Sequence, residues 1–531
     1  MIHQPVLISG EWRQSRDPAG FFRATDPATG TPLAHSYPVS SQADIEQALQ
    51  AAQEAVAALR SIPAESLAAF LDSFASKIEE RVDSLVDSAN SETALATEPR
   101  LRLVELPRTS DQLRQAAAAA RERTWCQATI DTKSNIRSRL GPLGGPVVVF
   151  GPNNFPFAFN SVSGGDFAAA IAAGNPVIAK ANTGHPTTTR ILAEAALDVL
   201  RQSDLPQAMI QLLYHTEPET GLALVTDERV GATAFTGSRD AGLKLKKAAD
   251  SAGKLIYLEM SSVNPVFVLP GALRERCDEI ATELYSSCAM GSGQFCTKPG
   301  LTIIEQGLES GRFIERVREL FEENNAGNLL SASGVKTIAG ALSELQTHGA
   351  EVITGGGEAE GPGFVFTNTL LVVSGDDFLK HPHALQTEAF GTVNLIVIAD
   401  DVYQMADIAA RLEGNLTGCI YSHSQADDEA AYAMIEPVLR QKVGRLLNDK
   451  MPTGVAVVPS MNHGGPYPAT GHPGFTAVGI PASLHRFAAL HCYDNVRHHR
   501  LPAELQDRNP TGKMWRLIDA DWTQGDVAQR A

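Results

Sequence analysis

A chain of 531 residues is more than one hydrophobic core serves, so two or more domains are expected. With 61 acidic against 44 basic residues the net charge is −17, which argues against nucleic acid or an anionic membrane as the main partner. A local basic site for a small anion stays compatible with that charge. The composition, 43% hydrophobic and 20% charged with 44 Gly and 30 Pro, is that of a globular protein in which helices alternate with short strands.

The six cysteines, Cys126, Cys277, Cys288, Cys296, Cys419 and Cys492, lie far apart and form no CxxC pair, so no disulfide scaffold is expected. No HExxH occurs, and the adjacent His498 and His499 stand alone, so no metal is expected. The opening MIHQPVLISGEWRQS lacks a basic stretch followed by a long apolar run, which argues against a signal peptide. The most apolar window, Phe167 to Ala179, is broken by Gly174, Asn175 and Pro176 and is too short to span a bilayer. A soluble protein in the reducing cytoplasm is expected.

Residues 43–125 read as helical, with Pro63 separating two amphipathic stretches. From about 144 the pattern changes. GGPVVVF (144–150), NPVIAK (175–180), MIQLLY (209–214), GATAFTG (231–237) and KLIYLEM (254–260) read as five buried strands alternating with helices, one of which has Pro186 near its start. This spacing predicts parallel βαβ units in a doubly wound sheet, whose ligands sit at the strands' carboxyl ends. A second α/β region follows from about 262 to 460, with NPVFVLP, GLTIIE, NLIVIAD and GVAVVP as strands and GGGEAEGPG (355–363) as a surface loop. The final stretch, LPAELQDRNPTGKMWRLIDADW, is suited to packing on a partner subunit.

Chemistry concentrates at a few positions. Cys296 lies in GSGQFCTKPG, a glycine-rich, proline-bounded segment that a substrate can approach and where backbone N–H groups can face a thiolate. Asn154 sits in the turn after the first strand, Lys180 ends the second, Gly237 and Gly242 bracket FTGSRDAG after the fourth, and Glu259 ends the fifth. Gly237 and Ser238 open a helix at a strand end, which offers N–H groups to a pyrophosphate, although GSRDAG is not the GxGxxG fingerprint. Glu388 and Phe390 lie in LQTEAFGTV.

The order GPNNFP, AKANTGHP, FTGS, LEMSSVNP, GQFCTKPG, EAFG, over roughly 150 to 391, resembles the motif series of the aldehyde dehydrogenase superfamily. NNFPFAF, LEMSSVNP and MNHGGPYPA carry a narrower likeness to the NADP-using branch that oxidises 2-oxoglutarate semialdehyde and related aliphatic aldehydes. The sequence departs from the family in having Pro-Asn where many members have Pro-Trp before the key asparagine. The segment 125–143 also does not match the family's oligomerisation hairpin readily.

The resemblance implies two doubly wound α/β domains plus an oligomerisation element. Residues 1–125 and 144–260, with part of 465–495, would form the cofactor-binding domain; 261–464 the catalytic domain; and 126–143 and 496–531 oligomerisation or packing segments. It implies Cys296 as nucleophile, Asn154 as oxyanion donor and Glu259 as the base that activates water. Lys180 and Glu388 would meet the cofactor's two riboses, Gly237, Ser238 and Gly242 its pyrophosphate, and Phe390 its nicotinamide. Phe155, Phe295, Thr297 and His463 would line the substrate pocket. Thr183 stands where NAD-preferring members often carry a Glu; a neutral hydroxyl there favours NADP, with NAD also usable. The implied activity is oxidation of an aliphatic aldehyde to its acid through a cysteine thioester, the substrate being 2-oxoglutarate semialdehyde. The alternatives are a broad-specificity aliphatic aldehyde dehydrogenase or a CoA-acylating relative. A homodimer or homotetramer is implied.

Overall fold

The structure is a computed structural model that describes residues 3–528. Its first sheet contains β1 (Val6–Ile8), β2 (Glu11–Arg13), β3 (Val147–Phe150), β4 (Val177–Lys180), β5 (Ile210–Leu213), β6 (Ala232–Thr236) and β7 (Leu255–Glu259), in the order β7-β6-β3-β4-β5-β1-β2. The five strands expected from sequence are the parallel ones, and β1 and β2 extend the sheet antiparallel. Near-continuous runs such as VVVF and VIAK suit strands covered on both faces. The covering helices include α1 (Leu106–Glu122), α2 (Pro186–Leu200) and α3 (Arg239–Ser251). Register decides the functional edge. Phe150 pairs with Lys180 and Phe235, and Thr236 pairs with Glu259, so the carboxyl ends of β4, β3, β6 and β7 finish level.

The second sheet is built from β8 (Val266–Val268), which leads into α4 (Pro270–Ala289), and then β9 (Leu301–Glu305), β10 (Glu351–Thr354), β11 (Thr369–Ser374), β12 (Val393–Ala399), β13 (Asn415–Tyr421) and β14 (Val443–Asn448). Its order is β10-β11-β12-β9-β8-β13-β14, parallel except for β10. Cys296 lies on the loop between α4 and β9, and an isolated bridge from Glu259 to Thr470 ties β7 to the chain beyond this sheet.

GVAVVP is not a strand. The sheet ends at β14, and 454–459 runs as irregular chain. Its apolar residues are used nonetheless: Val455 and Val457 pack on a cluster containing Phe155 and Phe295. Arg445 clamps this segment by donating to the carbonyls of Pro452 (2.7 Å) and Gly454 (3.1 Å). Apolar alternation reports one buried side, and a clamped loop supplies that as well as a ladder does.

Segment 126–143 does form a hairpin, Thr129–Asp131 with Ile136–Pro142. It joins Ala488–Asp494, Arg516–Ile518 and Asp521–Thr523 in a separate five-stranded sheet. The final stretch therefore packs on its own chain. Arg516 is fully buried there and donates to the carbonyls of Gln506, Asp507 and Gly525. No helix among the described residues is long and apolar enough to cross a membrane.

Candidate active site

The turn after β3 is held rigidly from several sides. Buried His185 donates from Nε2 to the Pro152 carbonyl (2.9 Å), and Asn182 donates to that of Gly151 (3.2 Å). Burial lowers the His185 pKa, so the imidazole acts as a neutral brace. Glu105, fully buried, accepts from the N–H groups of Phe157 (2.8 Å) and Ala158 (3.0 Å) and pairs with Arg100 (2.5 Å). Arg100 also donates to the Asn154 carbonyl (3.0 Å). The Asn154 amide, thus placed, donates one N–H to the Gln294 carbonyl (2.9 Å), two residues before the thiol.

The cysteine loop is fixed just as closely. Gly293 has φ +72° and lies so near the Gly391 backbone that an added Cβ would sit 2.0 Å from its carbonyl carbon, so glycine is required there. Asn264, in LEMSSVNP, donates to the carbonyls of Cys296 and Lys298, both at 2.9 Å, and accepts from the Thr417 hydroxyl (2.9 Å). Asn415 accepts from the N–H groups of Val263 and Asn264. Buried Lys298 donates to the carbonyls of Ala389 and Val393, which attaches the EAFG segment to the same loop.

At the centre three side chains converge. His463 Nε2 lies 2.9 Å from Glu259 Oε1 and 3.3 Å from Cys296 Sγ, and the donor atoms of all three residues fall within 4.8 Å of one another. Glu259 is only 2% exposed, and its Oε2 has no hydrogen-bond partner among the described residues. The Cys296 thiol is pushed well above its ordinary range, first by burial and then by the Glu259 charge, while Arg108 pulls it back. Cys288, by contrast, is packed in the core on α4. Its Sγ faces the Pro299 carbonyl at 3.2 Å, and burial pushes it up to about 12.

A cavity of about 290 Å³ is lined by Asn154, Gly237, Ser238, Glu259, Cys296, Glu388 and Phe390. It runs from the start of α3, where Ser238 Oγ caps the helix by accepting from Ala241 N–H, to the thiol. Helix N–H groups, a carboxylate and an aromatic ring along one trough fit a dinucleotide. Glu388 accepts from Ser262 N–H (3.2 Å), and burial raises its pKa. A second cavity, about 420 Å³, is lined by Arg100, Arg108, Phe155, Met290, Phe295, Val455 and Val457. Since Phe155 follows Asn154 and Phe295 precedes Cys296, the thiol stands between the two cavities. A third, about 500 Å³, opens beside Thr183, with Asn182, His215, Arg23 and Thr25 on its walls. Lys180 is lowered to about 8 by burial, and His215 to about 4 by burial and then by the Lys180 charge.

Three sequence expectations need correction. Gly242 does not line the dinucleotide trough. It lets α3 approach Met260, whose Sδ would lie 2.9 Å from an added Cβ. Thr297 is fully buried and accepts from Gly454 N–H (3.2 Å), so it sets the loop wall from behind. His463 reaches the thiol and carboxylate themselves, because the chain from 461 to 470 folds back across the end of β7. Sequence reading passed over Arg108, Asn264, Asn415 and Lys298. Asn264 and Lys298 sit inside quoted motifs, while Arg108 carries no local signal.

The architecture and the enclosed thiol together define a class, and comparison with known proteins agrees. A profile of the aldehyde dehydrogenase family matches residues 12–464, and the chain belongs to that family. It is an oxidoreductase that oxidises aldehydes with a nicotinamide cofactor. Among curated relatives, the alpha-ketoglutaric semialdehyde dehydrogenase 2 of Azospirillum brasilense is 39% identical over 507 residues, covering 93% of this chain and 94% of the relative. The alpha-ketoglutaric semialdehyde dehydrogenase of Acinetobacter baylyi is 33% identical over 513 residues, with the same coverage of 93% and 94%. Among solved structures, lactaldehyde dehydrogenase from Escherichia coli shares the fold with a TM-score of 0.77 at 21% identity, covering 92% of this chain and 98% of its own. PnpE in complex with nicotinamide adenine dinucleotide has a TM-score of 0.79 at 21% identity, covering 93% and 99%.

Proposed function

We propose that the enzyme oxidises 2-oxoglutarate semialdehyde to 2-oxoglutarate, preferring NADP to NAD. The observation that carries the reading is a thiol placed between a dinucleotide-shaped trough and an apolar cavity edged by arginine, in a chain whose full-length relatives bear that substrate's name.

The Cys296 thiolate attacks the aldehyde carbon, forming the C–S bond as the carbonyl electrons move to oxygen. Asn154 has a second amide N–H beyond the one given to Gln294, and this donor with the Cys296 backbone N–H holds the alkoxide. The nicotinamide cofactor would supply the hydride acceptor for the thiohemiacetal carbon, and with that hydride gone Cys296 carries the acyl group as a thioester. Glu388 and Phe390, on the trough wall, would orient that ring, and the start of α3 would hold the pyrophosphate. His463 occupies Glu259 Oε1, so the unpartnered Oε2 is the oxygen that takes a proton from water. The resulting hydroxide attacks the thioester, the thiolate leaves and the acid is released.

For the cofactor preference, Thr183 supplies a neutral hydroxyl beside Lys180, and the cavity next to it also presents Arg23 and His215, which suits a 2′-phosphate. The first sheet and its helices form the cofactor domain and the second sheet the catalytic domain. Copies of the chain associate through the five-stranded sheet, whose long edge strand Ala488–Asp494 is open and where Leu490, Trp515 and Trp522 are exposed. The reading includes a cytoplasmic location, supported by six cysteines that are all free, as a reducing compartment keeps them.

The test is kcat/KM across an aldehyde panel with both cofactors, with products measured in the presence and absence of CoA. Short carboxylated semialdehydes with NADP should lead, free acid should form, and Thr183→Glu should swing preference towards NAD. A panel led by long-chain or aromatic aldehydes, or acyl-CoA as product, refutes the substrate reading. Equal cofactor use unchanged by Thr183→Glu refutes the cofactor reading.

A further inference from the structure

Three arginines stand around the substrate cavity and the thiol, and they are not equivalent. Arg100 is ion-paired with Glu105 through Nη1 and donates to the Asn154 carbonyl through Nη2. Both terminal nitrogens of Arg445 hold the carbonyls of Pro452 and Gly454. Arg108, on the first turn of α1, donates from Nε to Gln112 Oε1 (3.2 Å), while its Nη2 is buried without a partner among the described residues. The two acidic groups in the same cavity are already engaged. Glu105 is held by Arg100 and two backbone N–H groups, and the exposed Asp111 accepts from Gln115 (2.6 Å). The Arg108 guanidinium lies 5.2 Å from the Phe159 ring centre and 5.6 Å from that of Phe155, so apolar surface surrounds an uncommitted cation. A buried guanidinium nitrogen without a partner destabilises a fold, and a ligand anion relieves that.

Building on the semialdehyde reading above, we propose that Arg108 binds the substrate's carboxylate and so selects short aldehydes that carry an acid at the far end. With Nε held by Gln112, the Nη pair presents a fork that matches a carboxylate. The aliphatic chain then lies against Phe155 and Phe295, and the aldehyde carbon reaches Cys296 beyond them. A long apolar aldehyde would leave the guanidinium unpaired, which supplies selection against it.

The experiment compares kcat/KM for a carboxylated semialdehyde and an uncharged aldehyde of equal chain length in the wild type, Arg108→Met and Arg108→Lys. The wild type should favour the carboxylated substrate. Any loss from removing the charge that favours the Cys296 thiolate is common to both substrates, and beyond it Arg108→Met should lower kcat/KM for the carboxylated substrate by roughly 10- to 100-fold more than for the uncharged aldehyde, chiefly through KM. Arg108→Lys should fall between, and it carries the comparison if the methionine variant does not fold, as judged by cofactor binding. Equal losses on both substrates overturn the assignment of Arg108. A wild type without preference for the carboxylated substrate overturns the semialdehyde reading instead.

Discussion

Replacing Asn264 with alanine separates what holds the cysteine loop from what performs chemistry on it. The side chain donates to the carbonyls of Cys296 and Lys298 and accepts from Thr417, all within the buried interior. Two buried carbonyls left without donors, at about 1–3 kcal/mol each, come to about 4 kcal/mol. Asn264 also has φ +48°, where alanine is strained and glycine is not, so Asn264→Ala should be less stable than Asn264→Gly by about 1 kcal/mol. For a 531-residue chain melting as one unit, unfolding entropy makes 4 kcal/mol equivalent to a fall in Tm of about 4 °C. The catalytic effect should be larger than the stability effect suggests, since a thiol displaced by ~1 Å loses about 100-fold in rate. Scanning fluorimetry reads the first quantity. Rapid mixing of enzyme, cofactor and aldehyde reads the second as the rate of the reduced-cofactor burst, while cofactor Kd should stay at the wild-type value. A lowered Tm with an unchanged burst rate refutes the argument that Asn264 positions the thiol, and an unchanged Tm refutes its role in the loop altogether.

Further outcomes can be measured on the same enzyme. Because the Cys296 thiol is raised well above its ordinary range, inactivation by iodoacetamide should climb about tenfold per pH unit through and beyond pH 9; a plateau near pH 8 would contradict the raised value. Lys180 is lowered to about 8, so its charge is present below that pH and lost above it; the ratio of NADP to NAD affinity should therefore fall between pH 7 and pH 9, and a flat ratio removes Lys180 from the phosphate site. Asn154→Ala should slow the burst by roughly 10²–10³-fold while cofactor Kd holds, and a loss below tenfold would leave the oxyanion to other donors. Glu259→Gln should keep the burst and slow the steady state, whereas disappearance of the burst would move Glu259 to an earlier step.

Much of the fold was legible because its signals are local. VVVF, VIAK and LIYLE are strands on their own composition, and their spacing from the intervening helices requires parallel crossovers. The glycines before Cys296 likewise carried their meaning in a few adjacent letters. What lay outside local reach was convergence. VAVVP has the alternation of a strand, but among the described residues it joins no sheet, and Arg445 holds it as the wall of a cavity. His463 is 167 positions from Cys296 and 204 from Glu259, yet its imidazole touches both. Arg108 looks like any helix-surface arginine until Gln112, Phe155 and Phe159 close around it. The sequence by itself determined most of the strands and their parallel connection, because backbone preference and hydrophobic period act over a few residues. Only the tertiary structure decided which charges are neutralised and which remain free around the Cys296 thiol, because pairing depends on distances between residues that the chain order keeps far apart.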